Sequence, residues 1–221
     1  MTPMSWEPKD PEGQLTTPSR GETQRPLPRR REAVVEEAAR LFLEKGYHAA
    51  SMRELARRLG VSLGTLYYYL RSKADLLVEI HDSFIDSLLA QLEKVASAPI
   101  SPQEKLRKFL RAQMEAIEAS QTRVTAFLRE RRALPPEAAA RLQPKRDRVD
   151  QLLEQIIREG IYKGAFRPVP VKSARLAILG MTNWAVEWFR PHGPKSAKEL
   201  ADDFADLVLK GLQAEGEVSG R

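Results

Sequence analysis

From Val34 onward apolar residues return every three or four positions along most of the chain, and no stretch shows the two-residue alternation of a half-buried strand. The pattern predicts helices throughout. Val34, Ala38, Leu41 and Phe42 share one face of a helix running from Arg29 to Lys45, with Gly46 just past its end. Ser51 opens a second, short helix. With Glu54 it spells the S-x-x-E capping box, in which the hydroxyl accepts from a first-turn backbone N–H and the carboxylate reaches back to the cap. Leu55 and Leu59 line its apolar side, Gly60 ends it in a left-handed turn, and Val61 is the apolar turn residue that pins it to the next helix. Ser62 caps that third helix, Leu63 to Leu70. Ser72 caps a longer run in which Leu77, Ile80, Phe84, Leu88, Leu92 and Val95 keep one stripe. Lys73 sits at the positive end of this helix's dipole, which calls for something anionic to compensate it.

Beyond Pro99 the same periodicity is broken by Pro and Gly. Ser101, Pro102 and Glu104 cap a helix to about Ser120, and a shorter one covers about Thr122 to Arg132. Leu134-Pro135-Pro136 breaks it, a brief turn follows to Leu142, and Lys145 to Glu159 makes the next helix before Gly160 and Gly164. Pro170 opens a helix to Phe189, and Ser196 with Glu199 caps the last, about Ala197 to Gln213. The sum is an all-α chain of nine or ten helices. Residues 1–28 hold six prolines and little apolar pattern, which reads as a disordered tail, and 216–221 as a flexible end. The organisation expected is therefore 29–75, a three-helix unit containing a helix-turn-helix, followed by 76–215, a larger helical domain.

The charge becomes informative once it is located. The chain carries a formal net charge of +6, and residues Arg25 to Lys73 hold eleven Lys or Arg against five Glu, so the whole excess lies around the three short helices. A basic excess confined there suits a polyanion, because neutralising phosphates releases counterions. Its leading edge, Arg25 to Arg31, is a basic arm of the kind that reaches a minor groove; an untethered terminus is the equal alternative. There is no cysteine, so disulfide and thiol chemistry are excluded. No run approaches the roughly 18 apolar residues of a membrane span, and the first residues lack the basic-then-apolar order of a secretory signal. The expectation is a cytoplasmic protein without a membrane partner.

Catalytic and metal signatures are missing. There is no G-x-S-x-G elbow, H-E-x-x-H or Gly-rich phosphate loop. His48, His81 and His192 lie far apart on different elements and read as surface or packing histidines, so neither an enzyme, a cofactor nor a metal is expected.

Residues 30 to about 80, and AARLFLEKGYHAASMRELARRLGVSLGTLYYYLRSKADLL within them, resemble the DNA-binding domain of the tetracycline-repressor (TetR) family. The resemblance implies a homodimer that binds a palindromic double-stranded DNA operator, with a small-molecule inducer releasing it and 76–215 serving as the ligand-binding and dimerisation domain. By position it implies that Leu63, Gly64, Thr65 and Tyr67 approach base edges, while Ser51, Arg53, Ser62, Tyr68, Tyr69 and Lys73 hold phosphates. Successive helical residues turn by about 100°, so at least one of the three tyrosines should be partly core, and Leu66 and Leu70 should be core. Thr65 and Leu63 replace the usual Arg, Asn or Gln base readers, which leaves DNA shape a share of the specificity.

The later segment MTNWAVEWFRPHGPKSAKELADDFADLVLKGL resembles regulators of this family that control fatty-acid, steroid or aromatic-acid degradation and respond to acyl-CoA thioesters. An acyl-CoA needs an apolar tunnel and basic groups. Phe127, Leu128, Arg131, Arg146, Trp184 and Trp188 are the candidates, with salt-bridged surface and ordinary core as their plain alternatives. Dimer contacts are expected at Leu176, Leu179, Gly180 and Asn183 of the penultimate helix and Phe204, Leu207, Val208 and Gly211 of the last. Two rival readings stay open. One is a sequence-tolerant architectural DNA binder; the other is a repressor of an efflux gene that responds to a hydrophobic drug-like ligand.

Overall fold

The computed structural model describes residues 27–213, all of it helix and connecting turn with no strand among them. The expected tail up to residue 26, with the first two residues of the basic arm, and the C-terminal end from residue 214 lie outside the described residues. Helix α1 (Leu27–Ala49) has its regular turns interrupted at Gly46, whose φ of 76° is open to glycine at little cost. Then follow α2 (Met52–Leu59), α3 (Leu63–Tyr69), α4 (Lys73–Ser97), α5 (Pro102–Ala119) and α6 (Gln121–Glu130). A 3-10 turn, Arg131–Ala133, leads into α7 (Pro136–Tyr162), α8 (Val171–Trp188) and α9 (Ala197–Leu212).

Caps set most of these starts. Ser51, Ser62, Ser72, Ser101 and Ser196 each have extended backbone and accept from the N–H three residues on. Of these, only Ser196 completes a capping box, with Glu199 returning to the Ser196 N–H at 2.8 Å. At Ser51 half of the expected box is made: Glu54 N donates to Ser51 Oγ at 3.1 Å, but the Glu54 carboxylate turns to Arg57 and Arg58 at 2.9 and 3.2 Å. A charge-assisted bond to a guanidinium is the stronger competitor.

The break read before Lys145 is not there. Pro136 occupies the first turn of α7, where its missing N–H costs nothing, and Pro144 lies inside one helix of 27 residues. Pro144 cannot donate to the carbonyl of Ala140, yet both residues are exposed, so water can satisfy that carbonyl.

Two apolar clusters organise the chain. The first gathers Leu41, Phe42, Leu55 and Leu66 of α1 to α3, and Leu70 just after α3, around Leu76, Leu77 and Ile80 of α4, and also takes Ala126 and Phe127 of α6 and Leu142 of α7. The second joins Ile85, Leu88 and Leu92 of α4 to Phe109 and Leu110 of α5, Leu153 and Ile156 of α7 and Phe204 of α9. Fully burying each such side chain contributes about 1.5–3 kcal/mol. The 25-residue helix α4 is common to both cores. At its far end Lys105, buried on α5, donates to the Ala96 carbonyl and to Glu159, each at 2.8 Å, tying α4, α5 and α7 together. Ala197, Ala201 and Ala205 recur every four residues on α9, so that α9 lies close against α5, and Arg111 reaches Asp202 across the seam at 2.9 Å.

Candidate nucleic-acid interface and ligand cavity

Helices α2 and α3 meet across a turn that glycine makes possible. Gly60 has φ 65°, its N–H bonds back to Arg57 O, and Val61 N reaches Ala56 O at 3.0 Å. Leu66 and Leu70 are buried as expected, which orients the opposite side of α3 to solvent. Ser62, Gly64, Thr65, Tyr67 and Tyr68 are all exposed on it, Tyr68 at 84%, while Leu63 is half-buried against the core. The Tyr69 side chain, the remaining candidate for a partly core tyrosine, lies outside the described residues. Thr65 does not present an unengaged hydroxyl, since its Oγ1 is 2.8 Å from Ser62 Oγ and its N–H donates to the same atom at 3.0 Å.

The surrounding charges divide into engaged and available. Arg58 is held by Glu37, Glu44 and Glu54 together, and these bonds, Glu44 first, raise its pKa. The Arg57 and Arg58 guanidiniums pull the Glu54 carboxyl down to about 2. Arg53 is exposed and has no ion pair among the described residues. The Lys73 ammonium donates to the carbonyls of His48 and Ala50 at 3.1 and 3.0 Å and lies 4.5 Å from the Tyr47 ring centre. The negative partner expected at the start of α4 is thus supplied by backbone carbonyls at the C-terminal end of α1 and by an aromatic face, with one of three N–H bonds left for another acceptor.

A cavity of about 120 Å³, partly open to solvent, lies where the two cores meet. Its apolar wall includes Phe84, Ile85 and Leu88 of α4, Ile117 of α5, and Val124 and Phe127 of α6. Four of the six residues expected to face a ligand line it: Phe127, Leu128, Arg131 and Arg146. Trp184 and Trp188 do not. They are 67% and 45% exposed on the outer side of α8, because the helix face turned inward is the one carrying Ile178, Thr182, Ala185 and Val186.

Arg131 and Arg146 have no carboxylate partner among the described residues, and Arg131 Nε is buried without any partner. Burial lowers the Arg131 pKa, with the charges of Arg146 and Arg132 adding to the effect. Asp150 also lines the cavity but is committed to Arg175. Sequence reading missed two further lining groups. Gln113 is buried on α5, and His81 is 1% exposed on α4 with its Nε2 unpartnered. The signal for His81 was present: it lies four residues from both Leu77 and Ile85, a polar side chain on an otherwise apolar stripe.

The expected dimer contacts split in the same way. Leu176 and Leu207 are exposed, Gly180 and Gly211 are open with nothing near the place of a Cβ, and Val208 is half-buried. Phe204 is instead buried in the core, its ring 6.2 Å from Trp188, and Leu179 and Asn183 line the cavity. One link joins the cavity wall to the three-helix unit. Glu130, at the end of α6, accepts from the backbone N–H of Tyr47 at 3.0 Å.

Comparison with known proteins accounts for this arrangement. Residues 34–80 match the family of bacterial regulatory proteins known as tetR, and residues 99–212 match the tetracyclin repressor-like C-terminal domain. PfmR from Thermus thermophilus, a TetR family transcriptional regulator of known structure, is 39% identical, with a TM-score of 0.75 over 82% of this chain and 99% of that one. The transcriptional repressor KstR2 of Mycobacterium tuberculosis is 28% identical over 85% of this chain and 94% of its own. Its structure, that of a ketosteroid transcriptional regulator, gives a TM-score of 0.77 over 84% and 96% of the two chains. AibR, solved in complex with isovaleryl coenzyme A and operator DNA, is 27% identical with a TM-score of 0.71 over 83% of this chain and 98% of that one. These relatives are regulators, not enzymes, and no helix of the described chain is long and apolar enough to cross a membrane. The chain belongs to the TetR family of bacterial regulatory proteins.

Proposed function

We propose that this protein is a cytoplasmic, ligand-responsive transcriptional repressor that binds a palindromic operator as a homodimer and releases it on binding a short-chain acyl-CoA thioester. The cavity carries this reading. It combines an apolar wall with two guanidiniums that lack carboxylate partners among the described residues, and it lies on the boundary between the core of the helix-turn-helix unit and the larger core. A thioester offers an apolar acyl group and several phosphates, which match the two halves of that lining. An apolar cavity of about 150 Å³ accommodates benzene, so about 120 Å³ suits an acyl group of about four or five carbons. That KstR2 is named a repressor and that AibR was solved with isovaleryl coenzyme A and operator DNA support the same reading. A cationic drug-like ligand fits less well, since its charge would meet Arg131 and Arg146.

In this reading α3 enters the major groove. Leu63, Gly64, Thr65 and Tyr67 stand near bases, and Ser51, Arg53, Ser62, Tyr68, Tyr69 and Lys73 near phosphates. The outward residues Leu176, Trp184, Trp188 and Leu207 of α8 and α9 form an apolar face suited to a second copy around a two-fold axis. Two-fold symmetry in turn matches palindromic half-sites about 34 Å apart. The test is selection of bound sites from random DNA, followed by titration with acetyl-, butanoyl-, isovaleryl- and dodecanoyl-CoA. A recovered palindrome and its release by the four- or five-carbon thioesters are expected. Binding to random DNA without a preferred palindrome would favour the architectural reading, and operator affinity unmoved by any thioester would remove the inducer.

A further inference from the structure

His81 is the unexplained group in the cavity. Its imidazole lies between two cavity-lining rings, 5.5 Å from Phe84 and 4.6 Å from Phe127 between ring centres. Nδ1 is 3.1 Å from Asp82 Oδ1, and that oxygen also faces the Lys145 ammonium at 2.8 Å. A carboxylate held against an ammonium can only accept, so Nδ1 must be the nitrogen that carries the proton. In the neutral ring this leaves Nε2 as a bare lone pair. Asp82 is not a cavity residue, and Nε2, one ring carbon away from Nδ1, diverges from it in the ring plane and is buried with no partner among the described residues. Burial lowers the His81 pKa, which keeps the ring in this acceptor state near neutral pH.

We propose that His81 Nε2 is an acceptor that selects ligands whose buried part bears a hydrogen-bond donor, a hydroxyl or an amide N–H. A donor satisfies the nitrogen, whereas an all-hydrocarbon group of the same volume leaves it desolvated and unpaired. Gln113 is the other polar side chain buried on this wall, and its amide has no hydrogen-bond partner among the described residues. The interior therefore selects polar substitution inside an apolar outline. His81 also sits one residue beyond Ile80, the last α4 member of the first core, so a ligand bound to it bears directly on the helix the two cores share. The proposal rests on the cavity being the ligand site and does not require the ligand to be a thioester.

Phenol and fluorobenzene, near in size and differing by one O–H, test it directly on the full chain. Their affinities are read by titration of wild type and His81→Phe, together with the ¹⁵N spectrum of the histidine side chains. Phenol is expected to bind wild type about tenfold more tightly than fluorobenzene and to shift Nε2 of an Nδ1–H tautomer. The preference is expected to fall to about one in the variant. Equal affinities in wild type, a preference that survives His81→Phe, or a proton found on Nε2 in the wild-type spectrum would each overturn it. The spectrum decides the matter even if His81→Phe fails to fold. Absence of heat with butanoyl-CoA would remove the thioester reading alone, since the phenol comparison still reports on His81.

Discussion

Replacing Arg131 by methionine should move stability and ligand affinity in opposite directions. The side chain is half-buried on the turn between α6 and α7, with its Nε buried and unpartnered, no carboxylate beside it, and Arg132 and Arg146 as like-charged neighbours. Methionine keeps the linear apolar stem and removes the charge. In the free protein this relieves an unsatisfied polar atom, worth about 1–3 kcal/mol where burial is complete, and a repulsion on the sub-kcal scale of partly exposed charges. At a half-buried site the net gain should be about 0.5–2 kcal/mol. At about 2–4 °C per kcal/mol for a chain of this size, the melting temperature should rise by about 1–8 °C. In the complex the same change removes a charge-assisted hydrogen bond of about 1.5–3 kcal/mol, which is about a 10- to 150-fold loss of affinity.

Differential scanning fluorimetry without ligand and calorimetry with butanoyl-CoA measure the two effects on one preparation. Arg131→Lys serves as the control, since it keeps the charge but loses the planar fork and should lie between wild type and Arg131→Met in affinity. A melting temperature several degrees below wild type would show that Arg131 holds the fold together. Unchanged affinity for an anionic ligand would show that the cavity's cationic end is not its recognition element.

Three further outcomes follow from other contacts. Glu130→Ala deprives the Tyr47 N–H of its acceptor and should cost about 1–3 kcal/mol; amide exchange at Tyr47 should accelerate and operator release should need more ligand, whereas unchanged exchange would discard the link. Gly160→Ala would place a Cβ 2.0 Å from Phe166 Cδ2, so overpacking of about 1–3 kcal/mol should lower the melting temperature by several degrees; an unchanged value would show that the Phe166 ring can move aside. Stability should rise with pH up to about 6.5, the ordinary histidine value, and then level off, because the unfolded chain protonates His81 more readily than the folded one. His81→Phe should remove that part of the slope, and denaturant titrations at pH 5, 6 and 7.5 that keep it in the variant would assign it elsewhere.

The helices were legible because their signals are local. A serine at an N-cap satisfies a backbone N–H three residues away whatever the tertiary fold, and Ser51, Ser62, Ser72, Ser101 and Ser196 all do so. The turn read between Pro136 and Lys145 is absent because the cost of a proline inside a helix depends on exposure: Pro144 and Ala140 lie on the exposed side of α7, where water can satisfy the Ala140 carbonyl, and the helix continues. The cavity was half legible. Arg131 and Arg146 stood out as basic groups of the kind an acyl-CoA needs, but whether an arginine has a carboxylate beside it depends on packing between helices, which no spacing reveals. Trp184 and Trp188 have the composition of a binding wall, and only the register of α8 sends them outward. A lone histidine on a stripe is usually a packed one. Its significance here came from Asp82 and Lys145, which fix the direction of one proton and so the character of the opposite nitrogen.

The position of the cavity bears on how a ligand would act. A ligand shifts an equilibrium only by as much as it prefers one state over another. A cavity deep inside the second core would be nearly the same in every arrangement of the helix-turn-helix unit, and filling it would leave DNA affinity unchanged. This cavity is different, because Phe127 belongs to the first core, Ile85 and Leu88 belong to the second, and α4 runs through both. A change in the angle between the cores must change its volume, so any ligand that fills it discriminates between those angles. Glu130 carries the same constraint along a second route, from the end of α6 to the backbone at Tyr47, whose ring lies beneath the Lys73 ammonium at the start of α4. In the proposed reading, ligand occupancy and DNA affinity would be coupled through two elements that meet at one place, between His48 and Lys73, directly before the cap of α2. Weakening either route should reduce the coupling, and only the loss of both should abolish it while leaving each binding event intact.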